Sequence, residues 1–264
     1  LGYSQVGEQA TPNHYKLARQ FVQFDNFYSA DAPGWSVAAI ASDYAQKLWP
    51  NSSAGRRKFS DYEGQEPASL PAAGYLWTHA ASARVSLRNY GFFVVNRAQP
   101  TDDGVQIDAV RDPTLRPVTN LRYRGFDPNY SDMERARVFL ADLTTFEAAG
   151  QMPRLTLMRL GSSPIGENDA ALGMIVEAVS RSRFWPQTAI FVLEENADHS
   201  PAFVISPYTQ RRVVDNTLYD TSSMLRTIEL ILGLRPMTQF DAGARPMLTA
   251  FQPAGNTAPY AAVR

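Results

Sequence analysis

Helix-like and strand-like patterns of apolar residues alternate along this chain. Residues 168–182 carry apolar side chains at helical spacing, between short apolar runs at 155–160 and 188–193. A helix that joins two such runs is typical of a parallel sheet covered by helices. The pattern therefore predicts an α/β fold, a three-layer α/β/α sandwich with a mostly parallel central sheet.

Helix signals recur on both sides of this unit. Ser131 and Glu134 form a capping-box pattern before an apolar face that Gly150 ends. Another helix is predicted to begin near Thr221 and to end at Gly233. Further helices are predicted at 36–48 and 75–85, and further strands at 86–95 and 202–206.

Residues 96–130 interrupt this regular alternation. They contain several Pro, Asp and Gly residues and little periodicity, which predicts a long surface excursion without a core-forming pattern of its own. The sequence contains no internal repeat and no low-complexity tract, and nothing in it marks a domain boundary. Residues 1–264 are therefore predicted to form a single domain.

The composition narrows the classes of function. At 44% hydrophobic residues the chain can bury a substantial core, and its net charge of -1 provides no field that attracts nucleic acid or an acidic membrane. The absence of cysteine excludes disulfides, thiolate metal sites and a cysteine nucleophile. No apolar run approaches the roughly 18 residues that span a bilayer, and no signal peptide is visible.

A polar cluster follows the second strand of the predicted β–α–β unit. Glu195 and Asn196 lie at the carboxyl end of that strand, and Asp198 and His199 follow within three residues. Ligands of open α/β sheets sit at the carboxyl ends of strands, and oxygen donors there can hold a divalent cation. A solvated acidic turn is the alternative. The mixture of carboxylate, amide and imidazole favours a metal or phosphate site.

Ser36 stands at the start of a predicted helix, directly after Trp35. A hydroxyl at this position lies among free backbone N–H groups and the positive end of the helix dipole, which suits an incoming phosphate. A simple N-cap serine is the alternative interpretation. The other histidines, His14 and His79, are interpreted as structural or exposed residues rather than as metal ligands.

Several longer motifs, in order along nearly the whole chain, resemble the bacterial phosphoesterase family of the alkaline-phosphatase superfamily, which includes phospholipase-C-type and acid-phosphatase-type enzymes. The amino-terminal motifs are 11–18 (TPNHYKLA), 24–28 (FDNFY) and 35–39 (WSVAA). The later motifs are 88–91 (RNYG), 168–173 (NDAALG), 182–185 (SRFW), 188–192 (TAIFV), 204–209 (VISPYT) and 223–233 (SMLRTIELILG).

The resemblance implies a metal-dependent phosphoric-ester hydrolase. In such enzymes a Ser or Thr at a helix start attacks phosphorus, and a divalent metal stabilises the developing charge. Ser36 matches the nucleophile of the family, and Glu195 and Asn196 match its acidic metal-binding pair. Asp198 and His199 complete the candidate ligand set. The family also implies a periplasmic or secreted protein, a phosphate-ester substrate and, in many members, a fused β-propeller as partner.

The chain departs from the family pattern at the expected site. The family begins with a strand that ends in Glu-Asn, and this chain starts beyond it. The Asp-Gly-His-like stretch is replaced by 31–34 (DAPG), and the Asp-His-Thr-type loop by 161–165 (GSSPI). The later acidic loop is shortened to 197–199 (ADH), and Asn196 stands where the family has an acid.

Two interpretations fit these departures. Either the protein is a degenerate, catalytically inactive phosphoesterase that serves as a structural or accessory subunit, or the sequence omits loops and a first strand that the complete protein has. The missing strand favours the second interpretation, because a central strand leaves unpaired backbone groups on its neighbours when it is absent.

Overall fold

The computed structural model describes residues 6–28, 73–161, 164–193 and 202–264. The helices in these ranges are α1 (Pro12–Gln20), α2 (Leu76–Ser82), α3 (Asp132–Ala149), α4 (Ile165–Arg181), α5 (Thr221–Leu232) and α6 (Gln239–Gly243). The strands are β1 (Val22–Phe24), β2 (Phe27–Tyr28), β3 (Leu87–Tyr90), β4 (Val94–Asn96), β5 (Ile107–Val110), β6 (Leu155–Met158), β7 (Ile190–Leu193), β8 (Ala202–Ile205), β9 (Val213–Asp215) and β10 (Tyr219–Asp220).

Strand pairing is mixed. One sheet has the order β7-β8-β1-β9, in which β8 is antiparallel to both of its neighbours and β9 is parallel to β1. The short strands β2 and β10 pair in parallel, as do β3 and β6, whereas β4 and β5 form an antiparallel pair. The predicted α/β class is confirmed, and parallel pairs do not predominate among the described strands.

Two apolar cores lie on opposite faces of the strands. Because side chains alternate along a strand, Phe203 of β8 packs with α1, α3 and α4, and its neighbour Val204 packs with α2 and α5. We call these clusters the α4 core and the α5 core. Helices on both faces of a strand layer form the predicted three-layer arrangement.

The caps of the long helices agree with the sequence pattern. The Ser131 hydroxyl accepts a hydrogen bond from the Glu134 backbone N–H at 3.3 Å, and Gly150 ends α3 with φ +70°. The Glu134 carboxylate pairs with Arg137 instead of closing the predicted capping box. Gly233 ends α5 as predicted, with φ +74°. Gly adopts this left-handed conformation without a steric penalty, which explains why both helices stop there.

The prediction of one continuous strand over 86–95 is wrong, because a turn separates β3 from β4. Gly91 and Phe93 both have positive φ, of +90° and +55°. The Asn89 side chain closes the turn, accepting from the Phe92 N–H at 3.2 Å and donating to the Phe92 carbonyl at 2.9 Å. The sequence pattern over 86–95 therefore did not reveal the turn, which the Asn89 side chain stabilises.

The prediction that residues 96–130 lack a core-forming pattern is also wrong. They contribute β5, and the side chains of Ile107, Leu115 and Tyr123 are buried. Ile107 and Leu115 join a third apolar cluster that includes the fully buried Trp77. These apolar residues follow neither helical nor strand spacing, because the segment reaches the core through turns.

Candidate functional site

The sequence-predicted site residues, Ser36, Glu195, Asn196, Asp198 and His199, lie outside the described residues. The helix predicted at 36–48 also lies outside them. The described residues do include those on either side of the segments that hold Ser36 and residues 195–199, and their positions show where these segments begin.

The strands that lead to these segments end at one edge of the sheet. Because β8 is antiparallel to both β7 and β1, those two strands run in the same direction. Their last residues, Leu193 and Phe24, therefore lie at the same edge. Leu193 is the register partner of Ala202, so both residues that flank 194–201 belong to this edge. We call it the carboxyl edge.

A cavity of about 320 Å³ lies at the carboxyl ends of β2 and β10. Tyr28, the last residue of β2, lines it eight positions before Ser36. Leu218 adds a largely exposed apolar side chain, and Arg245 adds a cationic one. Sequence reasoning missed this cavity, because β2 and β10 are only two residues long and carry no periodic signal.

Asp220, which also lines the cavity, is held by the helix that follows it. Its carboxylate accepts hydrogen bonds from the Ser223 backbone N–H at 2.9 Å and from the Ser223 hydroxyl at 3.2 Å. This is an N-cap of α5, worth typically about 1 kcal/mol. The acidic group is thereby fixed at one wall of the cavity.

A buried ion pair anchors the chain beyond the carboxyl end of β6. Asp132 and Arg135 are both fully buried, with 2.9 Å between the carboxylate and the guanidinium. The same carboxylate accepts from the Gly161 N–H at 2.5 Å and from the Asn168 side-chain amide at 3.0 Å. Arg135 also donates to the Gly125 carbonyl at 2.6 Å. These polar groups therefore fix the loops that follow β6 and precede α3.

Two of the motifs that carry the family resemblance interlock. The Asp169 carboxylate accepts from the backbone N–H groups of Asn13 and His14, at 3.0 and 2.8 Å, and from both of their side chains. Burial of Asp169 opposes its ionisation, but these hydrogen bonds outweigh burial and lower its pKa. The motifs at 11–18 and 168–173 therefore hold α1 against α4.

The described histidines take part in local structure. The His14 ring lies 2.6 Å from Asp169 Oδ1 and contacts Phe203 edge-on. The His79 ring lies 2.6 Å from the Ala73 carbonyl. Within 6–28, 73–161, 164–193 and 202–264, no three His, Asp or Glu side chains converge in a way that would hold a metal. Among these same residues, no helix is both long and apolar enough to cross a membrane.

No family model and no curated protein matches the chain. Solved structures do share its fold. A protein of the alkaline phosphatase superfamily from Vibrio parahaemolyticus is 14% identical with a TM-score of 0.55, covering 92% of this chain and 65% of its own. This chain thus spans about two thirds of that structure.

Two phosphonate monoester hydrolases have the same fold. The enzyme from Silicibacter pomeroyi is 12% identical with a TM-score of 0.53, and the alignment covers 92% of this chain and 72% of that one. The enzyme from Agrobacterium radiobacter is 14% identical with a TM-score of 0.53, covering 92% and 73%. At these identities the likeness shows a shared α/β fold.

Proposed function

We propose that this chain is a metal-dependent phosphoric-ester hydrolase of the bacterial phosphoesterase type, with Ser36 as nucleophile. One observation carries the proposal. The residues that flank the candidate ligands, Leu193 and Ala202, lie at the carboxyl edge of the sheet, which is also where β1 ends before the chain continues to β2 and Ser36. In open α/β sheets this edge is where ligands bind.

The proposed chemistry needs a hydroxyl, a cation and a binding surface. Ser36 would attack phosphorus from the start of a helix, where backbone N–H groups bind phosphoryl oxygens. Glu195, Asn196, Asp198 and His199 would hold a divalent metal, which when bound lowers the pKa of the attacking hydroxyl and neutralises phosphoryl charge. The fold shared with phosphonate monoester hydrolases supports a substrate of the phosphoric-ester class.

The cavity beside Tyr28 supports a role in substrate binding. Tyr28 and Leu218 offer apolar surface for the alcohol part of an ester, and Arg245 offers a positive charge for its phosphate. Asp220 is fixed by the helix cap and would orient polar groups of the alcohol. This arrangement fits an organic phosphate ester better than free phosphate.

The proposal is tested by hydrolysis of 4-nitrophenyl phosphate with and without added Mg²⁺, Mn²⁺, Ca²⁺ or Zn²⁺. We expect metal-stimulated hydrolysis that Ser36→Ala lowers by about 10³-fold or more, because the substitution removes the nucleophile. Ser82→Ala, which removes an exposed helix hydroxyl bonded to the Thr78 carbonyl, is the control and should keep full activity.

Metal binding is measured separately by calorimetry. Glu195→Gln and Asp198→Asn should weaken binding of the stimulating metal, because each removes an anionic oxygen donor. Hydrolysis that survives Ser36→Ala would contradict the assignment of the nucleophile. A folded protein without metal-stimulated turnover would instead favour the inactive accessory subunit.

A further inference from the structure

Arg245, which lines the cavity, lies between two points at which the chain is anchored to α5. Four residues before it, Asp241 of α6 forms a side-chain hydrogen bond with Glu229 of α5. Two residues after it, the Met247 N–H donates to the Thr227 hydroxyl of α5 at 2.8 Å. All four anchoring residues are buried, so water does not compete for either contact.

The two anchors hold Arg245 against a helix that itself forms part of the cavity wall. The Thr227 hydroxyl donates to the Ser223 carbonyl at 2.7 Å, and Ser223 lines the cavity. Pro246 directly follows Arg245 and restricts its backbone to extended conformations. The chain between the anchors therefore has little freedom of its own, and the position of Arg245 follows the position of α6 on α5.

The position of Arg245 decides whether the cavity accepts an anion. Among the residues that line the cavity, Arg245 carries a positive charge and Asp220 a negative one. The cap of α5 fixes the Asp220 carboxylate, so its charge stays at the cavity wall. An anion is accepted there only while the guanidinium lies close enough to offset that charge, because the attraction between charges falls with distance.

The contact between Glu229 and Asp241 depends on one proton. Two ionised carboxylates only accept hydrogen bonds, so a bond between them requires a proton on one of them. Asp241 is the acceptor, because the N–H groups of Met237 and Thr238 already donate to it at 2.6 and 2.7 Å. Burial and Asp241 raise the pKa of Glu229 to about 8, against the opposing effect of Arg226, 3.1 Å away on the same helix. Loss of the proton turns an attraction between α5 and α6 into a repulsion.

We propose that Glu229 and Asp241 act as positioning residues for Arg245, because the proton between their carboxyl groups holds α6 on α5 and loss of this proton lets the guanidinium leave the cavity. The ligand affected is the phosphate group of an organic ester, so the proposal rests on the role given to the cavity under the proposed function. Because the folded protein binds the proton below about pH 8 and loses it above, the cavity should hold such an anion at neutral pH and release it in alkaline solution.

Calorimetry with phenyl phosphate tests the binding, with EDTA present and in the Ser36→Ala protein, so that the probe is not turned over. From pH 7.5 to 9 the probe stays a dianion, since the second pKa of such a phosphate is about 6. We expect its dissociation constant to rise about tenfold by pH 9. Addition of Glu229→Gln should abolish this rise, because a Gln amide donates to Asp241 at every pH. Addition of Glu134→Gln, in an exposed ion pair on α3, is the control and should keep it.

Methyl NMR of the chain without ligand follows α6 directly. Ala242 lies within α6, and Ala244 follows the helix and lines the cavity beside Arg245. We expect both methyl resonances to shift with a midpoint near pH 8, as Glu229 ionises. The same resonances should stay constant over this range in Glu229→Gln, which cannot ionise.

Two results would overturn the proposal. The same pH dependence of binding with and without Glu229→Gln would show that the carboxyl pair does not position Arg245, and would leave the proposed hydrolase untouched. Binding at pH 7.5 that Arg245→Gln does not weaken would show that the anion lies elsewhere, and would remove the role of the cavity as well. Absence of metal-stimulated hydrolysis, together with binding that depends on Arg245 and on the Glu229 proton, would refute the hydrolase and support the positioning pair.

Discussion

At the residue scale, the carboxyl group of Glu229 on α5 has a strongly raised pKa. It is fully buried next to the carboxylate of Asp241. Burial raises its pKa to about 8, and the neighbouring Asp241 adds to the shift, while Arg226 at 3.1 Å opposes it. Burial opposes ionisation of Asp241, but hydrogen bonds from the Glu229 carboxyl, the Thr238 hydroxyl and the N–H groups of Met237 and Thr238 outweigh it and lower the pKa of Asp241.

This arrangement predicts that stability falls as the pH rises. Glu229 keeps a proton in the folded state up to about pH 8, whereas its ordinary pKa is 4.5. Between these values the folded state binds the extra proton, so the free energy of unfolding decreases by up to about 1.4 kcal/mol per pH unit. Glu229→Gln stays neutral and should flatten this decline in urea titrations at pH 5 to 9.

The matched control is Glu134→Gln. Glu134 also pairs with an Arg three positions away on a helix, but this pair is exposed to solvent. The Glu134 side chain is 50% exposed and the Arg137 side chain 58%. Its substitution should leave the pH dependence unchanged. An unaltered slope in Glu229→Gln would refute a proton held at this site.

At the element scale, the packing of α1 against α4 depends on the absence of a side chain at Gly173. A Cβ there would lie 2.4 Å from the Asn13 side chain. Asn13 cannot yield easily, because its amide oxygen accepts from the Val263 N–H and the Tyr260 hydroxyl, both at 2.8 Å. Close approach of the two helices thus fixes Gly at this position.

We expect Gly173→Ala to destabilise the protein. Ala gains up to about 1 kcal/mol over Gly inside a helix, but the clash with a buried, bonded side chain costs about 1–3 kcal/mol or more. Gly243→Ala, at the end of α6, is the control, since nothing lies within 4 Å of its added Cβ. Urea midpoints should fall for the first variant and hold or rise for the second. A rise in both would contradict the close packing.

Elements with periodic spacing and clear caps could be predicted from the sequence. The end of α5 at Gly233 and the end of α3 at Gly150 follow from glycines that accept positive φ. The buried Asp132–Arg135 pair could not be predicted, because its hydrogen-bond partners include the Gly125 carbonyl and the Gly161 N–H, which come from two distant loops. For the candidate site, the sequence indicated which strand leads to it. The structure adds that this strand ends at the carboxyl edge of the sheet, because Leu193 is the register partner of Ala202.

At the scale of the whole molecule, the two ends of the chain are joined in the fold. The Asn13 amide donates to the Val263 carbonyl at 3.1 Å, and the Tyr260 backbone N–H donates to the Ser180 hydroxyl at 2.9 Å. The Tyr260 side chain is fully buried in the α4 core. The carboxyl-terminal segment from Gln252 onward forms neither helix nor strand, so no local sequence pattern could predict its contacts with residues about 250 positions away.

Removal of residues 258–264 should therefore destabilise the protein far more than their lack of secondary structure suggests. The truncation deletes the buried Tyr260 ring and leaves the Asn13 side chain without two of its partners. Loss of a large buried aromatic costs about 3–5 kcal/mol, and the buried Asn13 amide oxygen, left without its two donors, adds about 1–3 kcal/mol. Removal of Arg264 alone is the control and should be neutral. Denaturation midpoints and amide exchange in α1 measure both effects. Equal midpoints for the two truncations would mean that the tail rests on the surface without supporting the α4 core.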